Sequence, residues 1–135
     1  MKEGDVVLTP IPQANGALKN RPALLLRQLP PFGDFLVCGI STQVHQAVPN
    51  FDEVIRRSDA DFATSRLVAD SVVRLGFLAV IPKTRIVGSI GCVGRERHER
   101  LLVRLSTHLV SGIAKTAGGA GGAAAEEKPA ATAEG

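Results

Sequence analysis

Four consecutive apolar residues, Ala23-Leu24-Leu25-Leu26, follow Arg21-Pro22 and end before the turn-forming stretch Pro30-Pro31-Phe32-Gly33-Asp34. A strand with one wet face alternates apolar and polar side chains, whereas a run apolar on both faces belongs in the middle of a sheet. Pro22 to Gln28 is therefore expected as a central strand. Phe35 to Ser41 follows the turn directly and is expected to pair with it as a hairpin.

The rest of the front half extends the β reading. Asp5 to Thr9 is a short strand, and Pro10, Pro12 and Asn15-Gly16 mark a long loop up to Asn20. Phe51 to Arg56 carries a weaker strand pattern, and Asp59 to Leu67 holds a short helical turn with Ser58 as its N-cap. Asp70 to Leu75 and Phe77 to Ile81 are β-branched and apolar, split at Gly76, where a bulge or sharp bend is expected. Ile86 to Val93 reads as a helical turn or an irregular strand broken at Gly88 and Gly91. Arg95 to about Ile113 is the one full helix. Leu102, Leu105, Leu109 and Ile113 form its apolar stripe, reinforced by Leu101, and Arg97, Glu99, Arg100 and Arg104 form its opposite face. Laid against a small barrel, such a helix has somewhere to bury the stripe.

Of 135 residues, 1–115 are expected to fold as one domain and 116–135 to form an Ala/Gly-rich disordered tail. The tail has no large apolar residue, so it cannot offset the entropy of ordering. It carries a net charge of −2 within a whole-chain +3, which leaves +5 on the folded body. That bias is compatible with nucleic acid without being diagnostic of it. No apolar h-region follows Met1 and no run approaches a membrane span, and Cys38 and Cys92 sit in apolar surroundings without ligand spacing. These features fit a cytoplasmic protein with no membrane association and no zinc or disulfide framework. With no Trp or Tyr and five Phe, stacking of bases on aromatic platforms is poorly served, so any bound RNA is expected to be held by charge and hydrogen bonds. Phosphate loops of P-loop type, dinucleotide fingerprints, H-E-x-x-H and nucleophile elbows are absent, and the acidic residues do not cluster as metal ligands. No metal or cofactor is expected.

The candidate chemistry lies in three pieces. Arg21, in Lys19-Asn20-Arg21-Pro22, offers a permanent charge and a planar fork of donors suited to phosphate oxygens. Ser41 and Thr42, followed by Gln43, offer adjustable hydroxyls at a strand end, although such residues also serve as ordinary turn formers. Arg74 interrupts Val72-Val73 and Leu75 and is either an edge-strand charge or a second phosphate contact. His45, just beyond the hydroxyls, has a side chain able to act as acid or base near neutral pH. His98 and His108 are assigned structural or solvent-facing places on the helix.

Taken together, Gly4-Asp5-Val6-Val7-Leu8, Arg21-Pro22-Ala23-Leu24, Ile40-Ser41-Thr42-Gln43, Asp70-Ser71-Val72-Val73-Arg74, Ile81-Pro82-Lys83 and Ile90-Gly91 resemble, in order and spacing, the PemK/MazF family of toxins from type II toxin–antitoxin systems. The resemblance covers roughly residues 3 to 110. It implies a mainly β (α+β) fold, an SH3-like β-barrel with a C-terminal helix, and usually a homodimer. It further implies a sequence-specific, metal-independent endoribonuclease that acts on single-stranded RNA through a 2′,3′-cyclic phosphate and is inhibited by a cognate antitoxin. Position by position, Arg21 matches the family's arginine before proline and Ser41 its strand-end hydroxyl, which makes these two the expected catalytic residues. Lys19, Thr42, Gln43, His45 and Arg74 are the expected RNA contacts.

Two departures from the family pattern matter. Gly76 stands where some relatives carry an acidic residue, and no Asp or Glu occurs between Asp5 and Asp34. The general base is therefore unassigned, with His45 as one candidate and a deprotonation shared with Arg21 or water as the other route. A catalytically degenerate toxin fold that binds RNA or an antitoxin without cleavage is the rival reading. A gyrase-poisoning toxin of the same fold ranks lower, because that relative ends in a Trp-containing C-terminus and this chain has no Trp.

Overall fold

The structure, a computed structural model, describes residues 1–113. The expected disordered tail at 116–135 lies outside the described residues. Six strands, β1 (Asp5–Pro12), β2 (Leu18–Leu29), β3 (Asp34–Ser41), β4 (Glu53–Ile55), β5 (Ser71–Ile81) and β6 (Gly88–Cys92), form one antiparallel sheet in the order β4-β5-β3-β2-β1-β6. A short helix α1 (Phe62–Ser65) and a long helix α2 (Arg95–Val110) complete it. The sheet curls into a half-barrel, and the expected mainly β, SH3-like barrel with a C-terminal helix is what the chain forms.

The apolar run at 23–26 lies in the middle of the sheet with both faces covered. Leu24 and Leu26 face one core with Val6, Ile40, Val73, Leu75, Leu101 and Leu105, while Ala23 and Leu25 face a second with Val7, Ile11, Val37 and Ile86. Full burial of side chains of this size stabilises by about 1.5–3 kcal/mol each, so these two layers supply most of the drive to fold. β2 and β3 pair as the expected hairpin, with Ala23 opposite Gly39 and Leu29 opposite Asp34.

Several boundaries differ from expectation. The segment from Pro10 to Asn20 is not a long loop, because β1 continues to Pro12 and pairs with β2 back to Leu18. Gln13 N–H donates to the Ala17 carbonyl at 2.8 Å and closes the hairpin. Pro10 and Pro12 are tolerated at the tip because the sheet has only one neighbour there, as β6 reaches no farther along β1 than Leu8. The N-cap of α1 is Asp61 rather than Ser58. Asp61 turns its carboxylate instead to Gly94 N–H and Arg97. Ile86 to Val93 resolves as β6, preceded by a 3₁₀ turn at Lys83–Arg85. Phe51 to Arg56 holds only the three-residue β4.

Helix α2 departs most in its faces. Leu101 and Leu105 are buried, but Leu109 and Ile113, expected on the stripe, are both 66% exposed. Arg97, expected on the solvent face, has a side chain only 10% exposed. It reaches Glu53 at 2.9 Å, Asp59 at 3.0 Å and Asp61 at 2.8 Å, while Arg100 and Arg104 also pair with Glu53. Burial pushes the Glu53 carboxyl up, but the hydrogen bond and charge of Arg100, with Arg97 and Arg104, outweigh it and hold the group below its ordinary value. The Arg97 hydrogen bond holds Asp61 low against its burial. This network ties α2 to β4 and α1. His98 is structural, with Nε2 2.8 Å from the Leu26 carbonyl, and His108 is exposed with its ring 5.0 Å from that of Phe51. Cys38 is buried, its thiol pushed up to about 12 mainly by that burial, and Cys92 is half-buried.

Candidate functional site

Where β2, β3 and β5 run side by side, their register sets the site. Ala23 on β2 pairs with Gly39 on β3, and Gly39 pairs in turn with Arg74 on β5. Arg21 lies two residues before Ala23 on β2, and Ser41 two residues after Gly39 at the end of β3, so both fall at the same end of the sheet. The side chains converge on a groove of about 450 Å³ that is lined by Gln13, Arg21, Ser41, Thr42, Gln43 and Arg74 among its polar groups. Ile11, Pro22, Leu67, Val68 and Phe77 supply apolar lining. Leu67 and Val68 follow α1, which packs so closely on β6 that a Cβ at Gly91 would collide with the carbonyl oxygens of Thr64 and Ser65.

The two arginines are held in the same way. Nη2 of Arg21 donates to Oε1 of Gln13 at 3.3 Å, and Nη1 of Arg74 donates to Oε1 of Gln46 at 3.5 Å. A neutral amide orients a guanidinium without cancelling its charge, so both keep their full attraction for an anion. Among the described residues no Asp or Glu lines the groove. Ser41 Oγ accepts from the Gln43 N–H at 3.0 Å, which leaves its own hydroxyl hydrogen available as a donor. A site with two uncompensated cations, a hydroxyl donor and an apolar wall is suited to a phosphodiester carrying an apolar or aromatic group.

Five of the seven residues expected from the sequence therefore share one groove: Arg21, Ser41, Thr42, Gln43 and Arg74. Lys19 and His45 do not line it. Lys19 is exposed near the hairpin tip, and His45 is exposed on a 3₁₀ turn at Val44–Gln46, whose next residue, Gln46, is the one that reaches Arg74. Sequence reasoning missed Gln13, Gln46 and Phe77. For the glutamines no local signal existed, since their partners lie eight and 28 residues away. For Phe77 the cue was the adjoining Gly76. Among the described residues no group of His, Cys, Asp and Glu is arranged to hold a metal.

This fold and groove define a small curled-sheet protein with a cationic groove across its central strands. The model of the PemK-like, MazF-like toxin of type II toxin–antitoxin systems matches residues 2–109, and the chain belongs to that family. Among solved structures it is similar to the Mycobacterium tuberculosis toxin MazF-mt6, with a TM-score of 0.58 and 18% sequence identity over 78% of this chain and 95% of that one. At that identity the likeness speaks for the fold. No curated protein matches the chain. Among the described residues no helix is long and apolar enough to cross a membrane.

Proposed function

We propose that the protein is the toxin of a type II toxin–antitoxin pair and acts as a metal-independent endoribonuclease on single-stranded RNA. The observation that carries this reading is the meeting of Arg21, Ser41 and Arg74 in one groove, with no carboxylate among the described residues that line it. Arg21, oriented by Gln13, neutralises the charge that grows on the scissile phosphate as the 2′-hydroxyl oxygen attacks phosphorus. Preorganised charge of this kind is commonly the largest catalytic contribution. Ser41 donates its hydroxyl hydrogen to a non-bridging oxygen, and Arg74 holds a neighbouring phosphate, with Thr42 and Gln43 beside it.

As the new bond to the 2′-oxygen forms, the bond from phosphorus to the 5′-oxygen breaks. A 2′,3′-cyclic phosphate remains on one fragment, and the departing oxygen takes a proton from water to become a 5′-hydroxyl. Among the described residues neither a carboxylate nor His45 lines the groove, so the 2′-hydroxyl proton passes to water, directly or shared with Arg21. The antitoxin blocks the same groove, and the active form is a cytoplasmic homodimer.

The test is to incubate the purified protein with a long RNA of mixed sequence and characterise the new ends. Discrete cuts leaving 5′-hydroxyl and cyclic-phosphate termini support the reading. The same lack of a lining carboxylate favours, as the second reading, a toxin fold that binds RNA or its antitoxin without turnover. Tight RNA binding with no new ends would establish that alternative.

A further inference from the structure

On β5, Leu78 pairs with Cys38, yet the next β3 residue, Gly39, pairs with Arg74. Three residues, Leu75, Gly76 and Phe77, are therefore accommodated between two consecutive β3 partners. A bulge of this kind re-aims side chains and is often found beside a functional site. Leu75 turns into the core, and its N–H donates to the buried carboxylate of Asp52 at 3.0 Å, which pins the bulge from behind. Phe77 turns the other way, into the groove.

Its ring occupies the space that a side chain at position 39 would need, since a Cβ on Gly39 would lie 2.8 Å from Cδ2 of Phe77. The ring is still 42% exposed. Covering a strand glycine accounts for where the ring rests. It does not account for an aromatic surface left open in a groove that also contains Arg21 and Arg74. Every base has a π-face, and an aromatic ring beside phosphate-binding cations is the usual way to hold an unstacked nucleotide.

We propose that Phe77 is the platform on which one base of the bound RNA stacks, with Gly39 and the bulge at Gly76 keeping the ring in place. The inference rests on the RNA-binding part of the function proposed above. It replaces the expectation that aromatic stacking contributes little in a chain so poor in aromatics. The platform acts on affinity and on placement of the scissile phosphate, and is tolerant of base identity.

The experiment measures binding of short single-stranded RNAs made uncleavable by 2′-deoxy substitution, intact or with one abasic position moved along the chain. Wild type, Phe77→Leu, Phe77→Trp and Gly39→Ala are compared after circular dichroism has shown that each is folded. Phe77→Leu should weaken binding of intact RNA about tenfold, and Phe77→Trp should retain it. Gly39→Ala, which leaves Phe77 in the chain but displaces its ring, should resemble Phe77→Leu. One abasic position should weaken wild type by a similar factor and leave Phe77→Leu unaffected.

Equal binding of intact RNA by wild type and Phe77→Leu, or abasic penalties that are the same in both, would overturn the platform. Wild type that binds these RNAs with the expected coupling but fails to cut their all-ribose counterparts would retain the platform and remove the ribonuclease reading. Wild type that binds no RNA would remove both.

Discussion

The amide of Gln13 is fixed at both ends: Nε2 donates to the Ile11 carbonyl at 3.0 Å, so Oε1 is the atom that faces Nη2 of Arg21 at 3.3 Å. Gln13 thus aims the guanidinium while leaving its charge uncompensated. Replacing the amide with a carboxylate keeps the size and supplies the missing counter-charge. Gln13→Glu is expected to lower RNA affinity about tenfold and to flatten its dependence on salt by roughly one phosphate contact. Gln13→Ala, which loosens the arginine without neutralising it, should cost about 1 kcal/mol and leave the salt slope intact. Titrations at several salt concentrations separate the two, and equal slopes for wild type and Gln13→Glu would contradict this role.

Thr9 pairs with Arg21 across β1 and β2, is fully buried, and its hydroxyl has no hydrogen-bond partner among the described residues. An unsatisfied buried hydroxyl is a net cost, and valine has the same shape without it. Thr9→Val is expected to stabilise the protein by about 1 kcal/mol with RNA cleavage unchanged. Thermal melts check this; a lower Tm would mean that the hydroxyl has a partner, such as an internal water.

Arg97 stands between Glu53, Asp59 and Asp61, and its removal would take the side-chain ion-pair partner from the nearly buried carboxylate of Asp61 and one of three from that of Glu53. Breaking a buried pair by deleting one partner is far more damaging than losing an exposed one. Arg97→Ala should destabilise by about 3 kcal/mol in denaturant melts. Arg95→Ala, at an exposed pair with Glu99, should change stability by less than about 0.5 kcal/mol. Similar losses for both would refute the distinction.

The same network sets the response to acid. The folded values of Glu53 and Asp61 lie below their ordinary 4.5 and 3.8. Between the folded and unfolded values the unfolded chain binds more protons, so stability rises with pH there. The contribution is complete above about pH 5 and is lost as pH falls through the folded values. Melting temperatures taken from pH 6 to pH 3 should fall steeply at the acid end, and less steeply in Glu53→Gln. A flat profile would show that these carboxylates are not favoured by folding.

Much of this architecture was legible in the sequence because its signals were local. The run Ala23 to Leu26 marked a strand covered on both faces, and Gly76 marked the bulge in β5. Arg21 and Ser41 could be placed on neighbouring strands because the turn between them is short. What was not legible depended on contacts between distant segments. Arg97 reads as a solvent-facing charge on a helical wheel, yet β4 and α1 bring three carboxylates to it. Pro10 and Pro12 read as loop, yet they fit at a hairpin tip where the strand has a single neighbour. Gln13 and Gln46 carry no signal at all until the fold sets each beside an arginine.

The most direct test of the central claim is to incubate wild type and Arg21→Ala, both shown to be folded, with a long RNA in EDTA and to map the ends. Wild type is expected to give discrete cuts with 5′-hydroxyl termini and Arg21→Ala none. Cleavage by Arg21→Ala at the wild-type rate, or cleavage by wild type that EDTA abolishes, would contradict it.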